Sequence, residues 1–188
     1  NKISPNKYLK IDGATYRNIY VVGDIHGCYD LVMKFVNDQQ FFDKEKDLLI
    51  GVGDLIDRGD KNLETLNLTK EDWFCATIGN HEMMAFDALF GQGFRIDERK
   101  LWEQNGGSYF YYNYDDQKQK EFKEILKEIK LNSPYVIEVN FNSEIYDFEE
   151  TEYRGKSIVA HAFYIPNDYF SDNNKMFYQF DKPLDIFE

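Results

Sequence analysis

Three short apolar runs in this chain end in the same way. IYVV at 19–22, LLIGV at 48–52 and FCATI at 74–78 each stop at a glycine, and polar side chains follow at once. Short apolar runs bounded by turn residues read as strands buried on both faces. They predict strands over about 19–23, 47–54 and 73–78. After the first run, Cys28, Leu31, Val32, Phe35 and Val36 recur at helical spacing. After the third, a helix starting near His81 carries Met83, Met84, Phe86, Leu89 and Phe90. Strands alternating with helices restrict the chain to an α/β architecture, and such sheets build their sites beyond the carboxyl ends of the strands.

That is where the chemistry-bearing residues fall. GDIHG supplies Asp24 and His26, GDLIDRG supplies Asp54, Asp57 and Arg58, and GNHE supplies Asn80, His81 and Glu82. A fourth apolar run, IVAHAF, ends in His161. Asp24, His26, Asp54, Asn80 and His161 are oxygen and imidazole ligands with no thiolate, a set suited to Mn, Fe or Zn. In Asp-x-His the two side chains past a strand end point the same way, so both can face one ion. Asp54, from the middle motif, is the candidate bridge. Two ions about 3.5–4 Å apart can hold a hydroxide and clamp both sides of a phosphoryl displacement. Taken singly, each motif has a plainer reading. Gly-Asp-x-His-Gly could be a capped turn, Asp57-Arg58 a surface ion pair, His81 a helix start and His161 a core histidine. All three histidines of the chain nevertheless lie at strand ends, and the four segments together argue for one site.

The rest of the chain bounds the setting. Residues 116–131 form an amphipathic helix with Phe122, Ile125, Leu126 and Ile129 on one stripe. After Pro134 come two strand-like runs, YVIEVNF and SIVAHAF, joined by an acidic stretch as a hairpin. At 188 residues a single domain is expected. A net charge of −12 leaves no basic face for nucleic acid and disfavours an anionic membrane surface. No apolar run approaches the roughly 20 residues of a membrane span. Two cysteines, Cys28 and Cys75, are too few for a disulfide scaffold and point to a reducing cytoplasm.

GDIHG, GDLIDRG and GNHE, in that order, resemble the signature of the phosphoprotein phosphatase branch of the calcineurin-like metallophosphoesterases, and HAFY looks like its next metal-binding segment. The surrounding VVGDIHGCYDLV, CATIGNHEMMAFDAL and NGGSYFYY are closest to the bacterial and phage lambda type of serine/threonine phosphatase. The resemblance runs from about Ile19 to Asp185. It implies a four-layer sandwich, two packed mixed β-sheets flanked by helices. It also implies phosphomonoester hydrolysis with two divalent ions, Mn foremost and Fe or Zn as alternatives. Carried over by motif, Asp24 and His26 would hold the first ion, Asp54 would bridge, and Asn80 and His161 would hold the second. Arg58, with Asn80, would bind the phosphate. His81 would protonate the leaving alkoxide while Asp57 orients its imidazole. Glu82 is expected to support these residues by hydrogen bonding, and Asn105 with the glycines after it to shape the rim. Phosphorylated proteins or peptides are the implied substrates. The sequence is silent on oligomeric state.

One departure stands out. The family pattern carries a further metal histidine in a Gly-His segment and a second phosphate-binding arginine downstream of HAF. This chain has three histidines and no arginine after Arg154, so the expectation is a sequence that stops short of both. Two rival readings follow. A symmetrical diadenosine tetraphosphatase shares the same signature, and a metal-binding module that has lost catalysis would explain the missing residues.

Overall fold

The computed structural model describes residues 7–91, 96–144 and 154–161. Its centre is a parallel sheet of β2 (Ile19–Val22), β3 (Leu48–Gly51) and β4 (Phe74–Ala76), in the order β2-β3-β4. Val22 is in register with Gly51, and Gly51 with Ala76. All three strands therefore release their polar turns along one edge. The middle strand is buried on both faces, which is why its sequence runs apolar without alternation. Leu49 packs among the helices, while Leu48 and Ile50 face a second sheet.

That second sheet consists of β1 (Tyr8–Asp12), β5 (Val136–Glu144) and β6 (Arg154–Ala160), ordered β1-β5-β6. β1 pairs parallel to β5, and β5 antiparallel to β6. Alternate residues, Leu9 and Ile11, Ile137 and Val139, with Val159, close the core between the sheets. Among the described residues six α-helices lie on the other face of the parallel sheet: α1 (Tyr29–Val36), α2 (Asn62–Asn67), α3 (Asn80–Phe90), α4 (Ile96–Gln104), α5 (Tyr109–Tyr112) and α6 (Asp116–Asn132). Each contributes buried residues to a single cluster there. In α6 these are Phe122, Ile125, Leu126 and Ile129, and the Asp115 carboxylate caps the helix by accepting from the Lys118 amide.

The two sheets with flanking helices match the expected architecture. The described residues make up three of its layers, and no helix among them covers the far face of the β1-β5-β6 sheet. The strands stop earlier than the apolar runs, at Gly51 instead of 54 and at Ala76 instead of 78. Beyond Gly51 the backbone leaves the extended region, with Asp54 at φ 48°. β1, α2, α4 and α5 carry no clear periodic signal, being short or, in α4, mostly charged. The expected hairpin is present as the β5-β6 pair. Its connection at 145–153, and the tail at 162–188, lie outside the described residues. No helix among the described residues is long and apolar enough to cross a membrane.

Candidate functional site

The turns after β2, β3 and β4 meet around the Asp54 carboxylate, which is 4% exposed. Asp54 Oδ2 lies 3.9 Å from His26 Nε2, and Oδ1 lies 3.5 Å from His161 Nε2. One carboxylate thus presents an oxygen to each of two imidazoles. Asp24, half exposed, approaches His26 Nε2 at 3.9 Å, and its carboxylate groups with Asp54 and His161 within 4.8 Å. The Asn80 amide terminus lies 2.8 Å from His161 Nε2 and 3.2 and 3.3 Å from the Asp54 oxygens.

The His26 and His161 imidazoles are anchored in the same way. His26 Nδ1 is 2.8 Å from the Ile56 carbonyl oxygen, and His161 Nδ1 is 3.0 Å from that of Val52. A carbonyl can only accept, so in the neutral ring Nδ1 carries the proton in both histidines. Nε2 is then left with its lone pair facing Asp54. Two imidazole nitrogens, two carboxylates and the Asn80 amide converge here without thiolates, a donor set that fits borderline divalent ions.

The turns after β2 and β3 are held in an unusual shape. His26, Asp54, Asp57 and Arg58 sit at φ 45°, 48°, 75° and 66°. Such left-handed positions cost a non-glycine residue about 1–3 kcal/mol each and persist only where surrounding contacts impose them. Glu82, 1% exposed, is the principal contact. Its Oε2 accepts from the Asp54 and Gly79 amides at 3.0 and 2.9 Å, and its Oε1 from those of Leu55 and Ile56 at 2.7 and 3.3 Å. Burial and the charge of Asp54 push the Glu82 carboxyl up to about 7, against the pull of these amides. The Asp54 carbonyl in turn accepts from the amides of Ile25 and His26 at 3.0 and 2.9 Å, tying the first turn to the second.

Next to this cluster lies a dyad. His81 Nδ1 is 2.6 Å from Asp57 Oδ2, with the two side chains 2% and 0% exposed. Burial works against the imidazolium, but the bond to Asp57 and the charges of Asp54 and Asp57 outweigh it, and the His81 pKa is raised. Burial likewise raises Asp57, opposed by its bonds from His81 and Trp102. His81 Nε2 faces the cluster, 3.8 Å from Asp54 Oδ2. The exposed Arg58 guanidinium reaches the Nε2 edge of both rings, with Nη1 2.8 Å from His26 Nε2 and Nη2 3.4 Å from His81 Nε2.

All eight residues expected in the site, Asp24, His26, Asp54, Asp57, Arg58, Asn80, His81 and His161, are brought together. Glu82 supports them from behind. Asn105 donates its side-chain amide to the Leu101 carbonyl at 2.8 Å, and Gly106 contacts the site by accepting from the Arg58 amide at 3.1 Å. Two residues escaped the sequence reading. Asn62, fully buried, accepts from the Asp57 amide at 2.6 Å and donates to the Gly59 carbonyl at 2.7 Å. Trp102 donates its indole N–H to the Asp57 carboxylate. The one available signal for Trp102 was a large aromatic inside the charged stretch DERKLWEQ.

Known proteins resemble this chain over most of its length. The family model for calcineurin-like phosphoesterases matches residues 17–185. Over 163 residues the chain is 40% identical to Serine/threonine-protein phosphatase 2 of Salmonella typhimurium, covering 87% of this chain and 66% of that protein. It is 38% identical over 153 residues to the Escherichia coli protein of the same name, covering 81% and 66%. It is also 43% identical over 74 residues to the symmetrical bis(5'-nucleosyl)-tetraphosphatase of Mannheimia succiniciproducens, covering 38% of this chain and 26% of that protein. The chain thus spans just under two thirds of the length of the two phosphatases.

Proposed function

The chain belongs to the calcineurin-like phosphoesterases, and from that premise we propose that it is a metal-dependent serine/threonine protein phosphatase. One observation carries the choice of substrate class. Likeness to the bacterial serine/threonine phosphatase covers 87% of the chain, whereas likeness to the tetraphosphatase covers 38%.

Members of this family use divalent metals. In the proposal Asp24 and His26 would hold one ion, Asn80 and His161 the other, and Asp54 would serve both. Manganese is the first candidate, with iron and zinc as alternatives. When bound, such ions supply a nucleophile at neutral pH and neutralise phosphate charge. The remaining work falls to the chain's own side chains. Arg58 receives phosphate oxygens on its planar fork of donors, with the Asn80 amide as a second phosphate contact. His81 gives its Nε2 proton to the leaving oxygen as the P–O bond breaks, which a serine alkoxide needs because it is a poor leaving group. Asp57 keeps Nδ1–H oriented and balances the imidazolium charge. Phosphorylated proteins or peptides are the proposed partners. A cytoplasmic setting belongs to the same reading, since Cys28 and Cys75 are both free thiols.

The test is hydrolysis of p-nitrophenyl phosphate and of a phosphoserine peptide with added Mn²⁺, in wild type, Asp54→Asn and His81→Asn. Both variants should lose most of the peptide turnover, and unchanged rates in both would remove the mechanism. The second reading rests on the shared signature with the tetraphosphatase. A strong preference for diadenosine tetraphosphate over the peptide would establish it instead. Metal uptake with no turnover of any of these would identify a binding module.

A further inference from the structure

We propose that Trp102 is a positioning residue for the proton donor. Its indole N–H fixes the Asp57 carboxylate so that Oδ2 stays aimed at His81 Nδ1. The inference rests on the phosphatase reading above and adds a residue to it.

A carboxylate turns about its last bond over a broad, shallow profile. His81 alone would therefore leave Asp57 free to swing. Trp102 Nε1 lies 2.9 Å from Asp57 Oδ1 and 3.0 Å from Oδ2, straddling both oxygens. An indole nitrogen is a donor only, so this contact cannot reverse its sense. Both side chains are 0% exposed, and no water can stand in for the bond without opening the core.

The indole is itself held by the turn between α4 and α5. Gly107 donates its amide to the Trp102 carbonyl at 2.9 Å. A Cβ on Gly107 would lie 2.0 Å from Trp102 Nε1, so only glycine lets the indole sit there. Phe110 and Tyr111 pack on the ring at centroid distances of 6.0 and 6.1 Å. Gly106, in the same turn, accepts from the Arg58 amide at 3.1 Å. One turn, contributed by elements remote in sequence from the Asp54 cluster, thus touches both the dyad and the proposed phosphate-binding arginine.

The test replaces Trp102 site-specifically with 3-benzothienylalanine, which keeps the shape and puts sulfur where the N–H was. Turnover of a phosphoserine peptide and of p-nitrophenyl phosphate is measured with Mn²⁺ supplied, alongside the ¹H–¹⁵N resonance of His81 Nδ1–H. Loss of one hydrogen bond to a charged group should lower kcat for the peptide roughly 10- to 100-fold. KM should stay the same. p-Nitrophenolate leaves without a proton, so the aryl phosphate should change little, and the Nδ1–H resonance should move. Gly107→Ala, which keeps the donor but displaces it, should show the same split between substrates. Equal losses on both substrates with an unmoved resonance would overturn the inference, as would no loss at all. If the wild-type protein hydrolyses neither substrate, the phosphatase reading falls. The resonance then decides the positioning role alone, a shift in the analogue supporting it and its absence overturning it.

Discussion

Gly79→Ala is a small substitution with a large expected effect. Gly79 has φ −99° and ψ 173°, a conformation open to any residue. On backbone grounds alone, alanine should be harmless or slightly stabilising, by about 0.4–1 kcal/mol through the unfolded chain. The packing says otherwise. An added Cβ would lie 2.2 Å from Asp54 Oδ1, 2.3 Å from the Asp54 amide nitrogen and 2.9 Å from Glu82 Oε2. An ordinary contact begins near 3.4 Å, so the Asp54 backbone must retreat by about 1 Å. That atom belongs to the residue proposed to be shared by both ions, and it also donates to Glu82. Overpacking at such a site costs about 1–3 kcal/mol, and a 1 Å misplacement of reacting groups costs about 10²-fold in rate. The assay pairs urea unfolding with calorimetric titration of Mn²⁺ and turnover of p-nitrophenyl phosphate. Gly23→Ala is the control, since its Cβ would meet nothing within 4 Å among the described residues. If Gly79→Ala kept wild-type stability, Mn²⁺ affinity and turnover, the reasoning about the Asp54 contact would be wrong.

Three further outcomes can be measured. Leu126→Ala, at a fully buried position in α6, should cost about 3 kcal/mol in urea unfolding while leaving Mn²⁺ affinity unchanged. Asp47 accepts from Arg17 Nε at 2.9 Å and from the Asn18 and Asp43 amides at 3.0 and 2.9 Å. The Arg17 bond holds its pKa below the ordinary carboxylate value against the opposing burial. The stability it contributes is therefore present above about pH 3.9 and lost as pH falls through the depressed folded value. Asp47→Asn should flatten that part of the stability curve in acid titrations followed by circular dichroism. Burial pushes the Cys75 thiol up to about 12, whereas Cys28 is exposed. At neutral pH a disulfide reagent should titrate one thiol in the native protein and two after denaturation, and two fast native thiols would contradict the packing of β4.

Much of this protein is legible along the chain. The stripe of Phe122, Ile125, Leu126 and Ile129 specifies α6, and the unbroken LLI of β3 announces burial on both faces. The motifs name the proposed ligands, because metal chemistry restricts which side chains can serve. These are local properties, governed by residue type and by a period of a few residues. The three glycines that precede Asp24, Asp54 and Asn80 read alike in sequence, yet a Cβ on Gly23 would meet nothing within 4 Å among the described residues while one on Gly79 would press onto Asp54. The parallel pairing of β1 with β5 and the reach of Trp102 across 45 residues to Asp57 are equally invisible in the motifs. Such relations depend on strand register and on how distant helices pack, which are collective outcomes of burying one core. Residue chemistry is written locally, but the few ångströms separating one site residue from another are set by the whole fold.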